Sequence, residues 1–170
     1  MTFLQPRRFA ECWQADAEWP GTIEQQQTVR DAFALVYGKK FWAVMKRLDY
    51  SANQVYQRHY LTVGFPPDDM FGMNQSAIAG VSGINFRASY AVGAIIQQAR
   101  HELGHVVDKH LLSQTQRVWF MHQITGPDLG NNRWTWNYQE TFADAFRDWV
   151  NSDGGKWESL TPILTEGGKL

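Results

Sequence analysis

The sequence predicts an α+β domain, because segments with helical spacing and segments of strand composition both occur along its 170 residues. Apolar side chains recur at helical intervals in residues 22–37, 90–112 and 138–150. Residues 54–65 and 77–86 are instead rich in β-branched and aromatic side chains, as strands are. We therefore expect one domain in which a small mixed sheet packs against helices.

Composition and charge narrow the class of protein. Apolar residues make up 44% of the chain and aromatic residues 14%, enough to form a packed core. The net charge is −1 and no run of lysine or arginine stands out, so neither a nucleic acid nor a membrane surface is expected as a partner. The single cysteine, Cys12, can form neither an internal disulfide nor a cysteine-rich zinc site.

The sequence contains no recognisable secretion or membrane-targeting signal. Its first residues, MTFLQPRRFAECWQ, lack an apolar run as long as that of a signal peptide. No window approaches the roughly 18 apolar residues that a membrane span requires. We expect a soluble monomer that is made in the cytoplasm, so that any action at a cell wall or outside the cell would need another route of delivery.

Particular residues indicate where the domain and its first helix begin and end. Residues 1–21 are expected to be irregular, since prolines and a glycine interrupt them. Thr22 and Gln25 have the spacing of a capping box, which predicts that a helix starts there. Residues 161–170 are typical of a tail or the start of a linker, so the domain would span residues 1–160 and could be a module of a longer chain.

The middle of the chain contains weaker signals. The prolines Pro66 and Pro67 should end the first strand, and the glycines within 77–86 indicate a bulge or a close approach of another backbone. Ser89 is the expected N-cap of the next helix. The segment 113–137 is ambiguous, since residues 116–124 are compatible with either strand or helix, while residues 126–133 are expected to form a loop.

The stretch ARHELGHVVDKH, residues 99–110, contains two histidines one helical turn apart. On a helix, the Cβ atoms of His101 and His105 would lie roughly 5–6 Å apart on one face. Two imidazoles so placed can bind one zinc ion through ring nitrogens at roughly 2.0–2.1 Å. Glu102 is rotated by about 100° from His101, so it can reach a water held by the ion without binding the metal itself. The pattern HExxH therefore offers two ligands and a general base.

The rest of this helix favours a metal site over a solvated surface. Its apolar side chains gather on one face: Ile95, Ile96, Ala99, Leu103, Val106 and Val107. The opposite face carries His101, His105 and Asp108. A helix whose polar side simply faces water is the alternative, but such faces are normally filled with Lys, Glu and Gln rather than with paired histidines.

Zinc needs a third protein ligand, and Glu140 is the candidate. The metzincin extension HExxHxxGxxH fails, because residue 108 is Asp and residue 111 is Leu. Asp108 lies roughly 10 Å along the helix axis from His101, so we assign it a supporting or structural role. In NYQETFADAFRDW, Glu140 and Asp144 share the polar side of a helix, for which a solvated acidic face is the alternative. If the two helices pack together, Glu140 can bind the metal and Asp144 can accept the N–H of a ligating histidine.

The motifs HELGHVVD and ETFADAF together resemble the catalytic core of the anthrax lethal factor-like zinc peptidases, which are gluzincins, over roughly residues 90–150. The resemblance implies a zincin-like domain with one zinc ion held by the two histidines and Glu140, and with Glu102 as catalytic base. Asp144 stands where the family usually has a second Glu. The resemblance also implies a cleft bordered by an edge strand to which extended substrates add, and residues 77–86 are the candidate strand.

One position departs from the family pattern. The family's catalytic tyrosine lies seven residues before the third ligand, where this chain has Arg133. Tyr138 or Arg133 would then have to stabilise the oxyanion, unless the site manages without such a donor.

These features predict a zinc metalloendopeptidase that hydrolyses peptide bonds with a metal-activated water. The substrate would be an extended protein segment or a stem peptide of bacterial peptidoglycan, as for a phage lytic enzyme or a toxin domain. A non-catalytic metal-binding or interaction domain with the same fold is the alternative, and a different hydrolase with the same zinc ligands is another. Glu102 argues against the first, because a structural zinc site needs no base and normally closes its fourth position.

Overall fold

The computed structural model describes these residues: 13–34, 43, 44, 47, 61–73, 75–79, 83–125, 136–152 and 157–166. Its helices are α1 (Ile23–Ala34), α2 (Val92–Leu111), α3 (Gln114–Thr125), α4 (Trp136–Asn151) and α5 (Thr161–Glu166). Its strands are β1 (Trp13–Ala15), β2 (Leu61–Gly64), β3 (Ala77–Ala79) and β4 (Gly83–Phe86). The α+β class is thereby confirmed. Within the described part, no helix combines the length and the apolar character needed to cross a membrane.

The four strands form one mixed sheet, as expected. Their order is β1-β2-β4-β3, and β2 is parallel to both β1 and β4. Strand β3 is antiparallel to β4, with Ala77 opposite Phe86 and Ala79 opposite Ile84. Among the strands that the structure describes, β3 pairs only with β4, so it is an edge strand of this sheet, and it contacts helix α2.

The segment 77–86 was expected to contain a strand, and the structure has one strand more than expected there. The segment contains two antiparallel strands, β3 and β4. The close approach indicated by its glycines is confirmed at Gly83, where an ideal Cβ would lie 2.5 Å from the carbonyl oxygen of Thr62 on β2. Strand β2 ends shortly before Pro66 as predicted, whereas residues 54–60 of the expected strand lie outside the described residues.

The expected start of α1 is confirmed, whereas the expectations for residues 13–15 and for Ser89 are wrong. The backbone N–H of Thr22 donates to Gln25 Oε1 at 2.9 Å, and the N–H of Gln25 donates to Thr22 Oγ1 at 3.0 Å, which is a capping box. Residues 13–15 are not irregular but form β1, because pairing with the distant β2 stabilises them. Ser89 does not cap α2, which starts after Ala91, since the N–H and hydroxyl of Ser89 donate to the Asp68 carboxylate instead.

The C-terminal segment is also more ordered than expected. Residues 161–166 form helix α5 rather than a tail, and Ile163 and Leu164 of this helix are buried. Trp149 Nε1 donates to Thr161 Oγ1 at 3.0 Å, which ties α5 to α4. Within the ambiguous segment 113–137, residues 114–125 form helix α3.

Helices α1 and α4 pack against α2 and enclose the core. From α2, fully buried apolar side chains come at the predicted helical spacing: Ile95, Ala99, Leu103 and Val107. Phe142 and Phe146 of α4 are also fully buried. Gly104 lets the two helices approach closely, because an ideal Cβ on it would lie 2.7 Å from Ala143 Cα and 3.2 Å from the Ala143 oxygen. The absence of a side chain at this position thus sets the distance between α2 and α4.

Replacing Gly104 with alanine is expected to lower the free energy of unfolding by about 1–3 kcal/mol, because the added methyl group overpacks the α2–α4 contact. Gly93→Ala is the matched control on the same helix, since an ideal Cβ there meets no atom within 4 Å. That substitution should instead raise stability by about 0.5–1 kcal/mol. Urea unfolding followed by tryptophan fluorescence measures both, and equal effects would contradict a close contact at Gly104.

Candidate metal centre

The polar face of α2 is buried rather than solvated. His101 is 7% exposed, Glu102 is 4% exposed and Asp108 is 3% exposed. The alternative of a helix whose polar side simply faces water is therefore wrong. Buried polar groups require partners, and most of the partners come from α4, α3 and the edge strand β3.

Glu140 of α4 lies against both histidines. Glu140 Oε2 is 3.2 Å from His101 Nε2, and Glu140 Oε1 is 3.2 Å from His105 Nε2. The two imidazole rings are nearly perpendicular, with centroids 4.9 Å apart. The expected convergence of Glu140 with the histidines, from a second helix packed beside the first, is confirmed.

Two pairs of donor atoms have nearly the spacing of ligands around a single zinc ion. A tetrahedral ion with nitrogen and oxygen ligands at about 2.0–2.2 Å holds neighbouring ligand atoms roughly 3.3–3.6 Å apart. The distances of 3.2 Å between the Glu140 oxygens and the histidine nitrogens are close to that spacing. Two imidazoles and one carboxylate are also a ligand set that zinc prefers in open sites.

Glu102 is close enough to compete with Glu140 as third ligand. One carboxylate oxygen of Glu102 and one ring nitrogen each of His101 and His105 all lie within 4.8 Å of one another. However, Glu102 Oε1 already accepts a hydrogen bond from Gln98 Nε2 at 2.7 Å, and the Glu102 carboxylate accepts another from the backbone N–H of Ala79. Glu140 contacts both imidazoles directly, so it is the better-placed third donor, whereas the Glu102 carboxylate is already engaged by its hydrogen bonds.

Asp144 orients one of the histidines. Its Oδ1 lies 2.8 Å from His101 Nδ1, and it also accepts from Arg147 Nη1 at 3.0 Å. An ionised carboxylate can only accept, so Nδ1 of His101 donates to Asp144 and Nε2 is the ring nitrogen that lies against Glu140. This is the supporting position that the sequence predicted for Asp144.

Burial changes the protonation of two groups in the site. It lowers the pKa of His105 below its usual value, although the Glu140 carboxylate opposes this, and so it favours the neutral imidazole that can bind a metal. Burial also raises the pKa of Glu102, against the opposing hydrogen bond from Gln98. A carboxylate with a raised pKa is a stronger base at neutral pH.

Asp108 has a structural role at the edge of the site. Its Oδ1 accepts from Arg117 Nε at 2.9 Å and from the hydroxyl of Tyr138 at 2.7 Å. Arg117 Nη2 also donates to the backbone oxygen of Asp108 at 2.7 Å. One buried carboxylate thus joins α2 to α3 and α4, which agrees with the supporting or structural role expected for Asp108.

The same contacts correct the expectation for Tyr138 as an oxyanion donor. Its hydroxyl is buried and donates to Asp108, and Tyr138 is not among the residues that line the cleft beside the histidines. Burial and the negative charge of Asp108 both raise the pKa of the Tyr138 hydroxyl. Arg133, the other expected donor, lies outside the described residues.

The histidines line an open cleft of about 380 Å³ between α2, α4 and the edge strand β3. Strand β3 forms one wall, as expected for the edge strand. The carbonyl oxygen of Ala79 accepts from Lys109 Nζ at 3.1 Å, while its N–H donates to Glu102. The Glu140 side chain is 40% exposed, so the cleft is open to solvent on the α4 side.

The sequence did not predict three of the cleft residues that lie on the helices. Gln98 holds Glu102, Lys109 contacts β3, and Gln139 lies beside Glu140 in the wall of the cleft. Helical spacing could have identified the first two, because Gln98 is one turn before Glu102 and Lys109 is one turn after His105. No comparable pattern marks Gln139.

Comparison with protein-family models, with curated proteins and with solved structures finds no match to this chain. The chemistry of the site is therefore interpreted from its own side chains.

Removing the carboxylate charge of Asp144 should weaken metal binding. We expect Asp144→Asn to lower zinc affinity by about 10–100-fold, because His101 loses the acceptor that fixes its ring. Asp148→Asn is the matched control, since Asp148 is one turn later on α4, pairs with the same Arg147 at 3.6 Å and is half exposed. Zinc titration calorimetry measures both affinities, and equal losses would contradict the orienting role of Asp144.

The hydrogen bond of Tyr138 should stabilise the fold rather than the metal centre. Tyr138→Phe leaves the buried Asp108 without one of its donors, so the free energy of unfolding is expected to fall by about 1–3 kcal/mol. Zinc affinity should stay within about twofold of the wild-type value. Urea unfolding and zinc titration provide the two measurements, and lost zinc affinity with unchanged stability would place Tyr138 in the metal site.

Proposed function

We propose that the protein is a zinc-dependent metalloendopeptidase. The observation that carries this proposal is the contact of Glu140 with both His101 and His105 in an open cleft, with the buried Glu102 beside the two histidines. Each of these groups has a separate task in peptide hydrolysis, and each task follows from what the side chain contacts.

His101, His105 and Glu140 would hold the zinc ion. Zinc bound there supplies Lewis acidity, which acidifies a coordinated water and polarises a substrate carbonyl. Asp144 keeps His101 in the tautomer whose Nε2 can bind a metal. The low pKa of His105 keeps its imidazole neutral, and therefore ready to bind, at neutral pH.

Glu102 would act as the general base and then as the general acid. It takes a proton from the water that attacks the peptide carbonyl carbon, so that a new C–O bond forms. When the C–N bond breaks, the same proton passes to the leaving amine. Gln98 and the N–H of Ala79 hold the carboxylate in place for both transfers.

The edge strand favours an extended peptide as substrate. Ala79 directs its N–H and carbonyl toward α2 rather than toward β4. The backbone N–H and C=O groups of successive residues in an antiparallel strand point alternately toward and away from the paired strand. The backbone groups of Ala77, like those of Ala79, therefore point away from β4, into the cleft that Ala77 lines. An extended protein segment or a cell-wall peptide could pair with them by adding a strand.

A non-catalytic metal-binding domain is the competing interpretation. A structural zinc site is usually enclosed by four protein ligands, whereas the cleft here is open beside Glu140 and holds a buried carboxylate that is not needed for binding. These features favour catalysis over a purely structural role.

The decisive variant is Glu102→Gln, which removes the base and keeps the shape of the side chain. We expect one zinc ion per chain by elemental analysis and a fall in peptide cleavage of about 10²–10⁴-fold. Cleavage of a peptide library, followed by mass spectrometry with and without a chelator, measures the activity. Glu24→Gln is the control, since Glu24 is an exposed glutamate on α1.

The outcomes separate the two interpretations. Chelator-sensitive cleavage by wild type and Glu24→Gln, but not by Glu102→Gln, supports the peptidase. Full activity of Glu102→Gln would disprove the mechanism. A wild-type protein that binds zinc and cleaves no peptide favours the non-catalytic domain.

A further inference from the structure

We propose that a second cavity beside the metal centre binds a carboxylate of the peptide substrate, with Lys109 as its cationic anchor. This inference rests on the proposed peptidase function and extends it to substrate choice. The cavity has a volume of about 320 Å³, enough for one side chain, and lies between the C-terminal half of α2, helix α3 and the start of α4.

The second cavity adjoins the cleft. Lys109 and Gln139 line both spaces. Lys109 is one turn beyond His105 on α2, so its side chain stands between the metal centre and the cavity. A peptide extended along β3 could therefore place one of its residues, or its end, in the second cavity while a neighbouring bond lies at the metal centre.

The charges of the lining favour an anion. Asp108 is the acidic residue of the lining, and its charge is balanced by Arg117 and by the hydrogen bond from Tyr138. Lys109 adds a second positive charge. Within the part of the chain that the structure describes, Lys109 Nζ bonds to the neutral carbonyl of Ala79 and to no carboxylate. A substrate carboxylate would be a stronger partner for Lys109.

The remaining lining residues suit an acidic residue with a short apolar stem. Val118 and Met121 of α3, with the ring of Tyr138, provide an apolar wall against which methylene groups can pack. The amides of Gln114 and Gln139 can donate hydrogen bonds to a carboxylate. Lys109 is exposed on a flexible stem, so it can leave Ala79 and turn toward the ligand.

A side-chain carboxylate and a C-terminal carboxylate have the same chemistry, so the experiment must distinguish them. The probes are matched fluorescent peptide libraries in which one position is fixed as Glu or as Gln, each with a free or an amidated C-terminus. For wild type we expect kcat/KM to be about tenfold higher for Glu than for Gln at one position relative to the cleaved bond. If the preference instead follows the free C-terminus, the cavity recognises the end of the chain.

Variants of Lys109 test the anchor. Lys109→Met keeps an apolar stem without the charge, and we expect the ratio of Glu to Gln, or of acid to amide, to fall to about one. Lys109→Arg keeps the charge and should retain most of the preference. Because each ratio compares two peptides on one protein, a general loss of folding or activity cancels from it.

Charges placed on α3 provide an independent test. Gln114→Glu puts an anion at the rim of the cavity and should lower the preference for the acidic peptide at least threefold, whereas Gln114→Lys should raise it. Thr115→Glu is the control, because Thr115 is the next exposed residue on α3 and does not line the cavity. It should leave the preference unchanged.

Peptide binding, measured without cleavage, tests the cavity proposal separately from the peptidase proposal. Fluorescence polarisation of the same peptides on Glu102→Gln should show a Glu or free-acid preference that Lys109→Met abolishes. If the binding assay shows the preference for Glu or for the free acid but the wild-type protein cleaves no peptide, the carboxylate-binding cavity is supported and the peptidase proposal is disproved. Cleavage with equal rates for all four libraries, or a preference that survives Lys109→Met, would overturn the inference and leave the peptidase proposal intact. Absence of both binding and cleavage would overturn both.

Discussion

The close packing of α2 against α4 is the constraint on which the candidate metal centre depends. Gly104 lies between the two histidines in sequence, and an ideal Cβ on it would overlap Ala143 Cα at 2.7 Å. Because the helices approach so closely at that turn, Glu140 reaches both imidazoles and Asp144 reaches His101. A larger side chain at residue 104 would force the two halves of the site apart.

The same packing explains why polar groups on α2 can be buried. Burial of a carboxylate or an imidazole costs free energy unless partners replace water. Here Glu102 is held by Gln98 and β3, and Asp108 is held by Arg117 and Tyr138. Burial raises the pKa of Glu102 although these hydrogen bonds oppose the shift, and the contacts of Asp108 join three helices beside a cavity.

The sequence predicted the local parts of this arrangement better than the non-local parts. The capping box at Thr22 and the helices that carry the site followed from spacing, because helical faces repeat every three to four residues. The contact of Glu140 with the histidines is non-local, and it was expected only on the condition that the two helices pack together. Strand β1 was missed, since three residues carry no periodic pattern and are stabilised by a distant strand. The position of the Tyr138 hydroxyl was also missed, because it depends on how three helices meet at Asp108.

The most direct test of the central claim is X-ray absorption at the zinc K-edge, recorded on the zinc-loaded wild type and on Glu140→Ala. Our account predicts one zinc ion per wild-type chain, bound by two imidazoles and light oxygen ligands at roughly 2.0–2.1 Å. In Glu140→Ala the oxygen shell should change and zinc affinity should fall. A wild-type protein that binds no zinc, or a spectrum and affinity that Glu140→Ala leaves unchanged, would contradict the account.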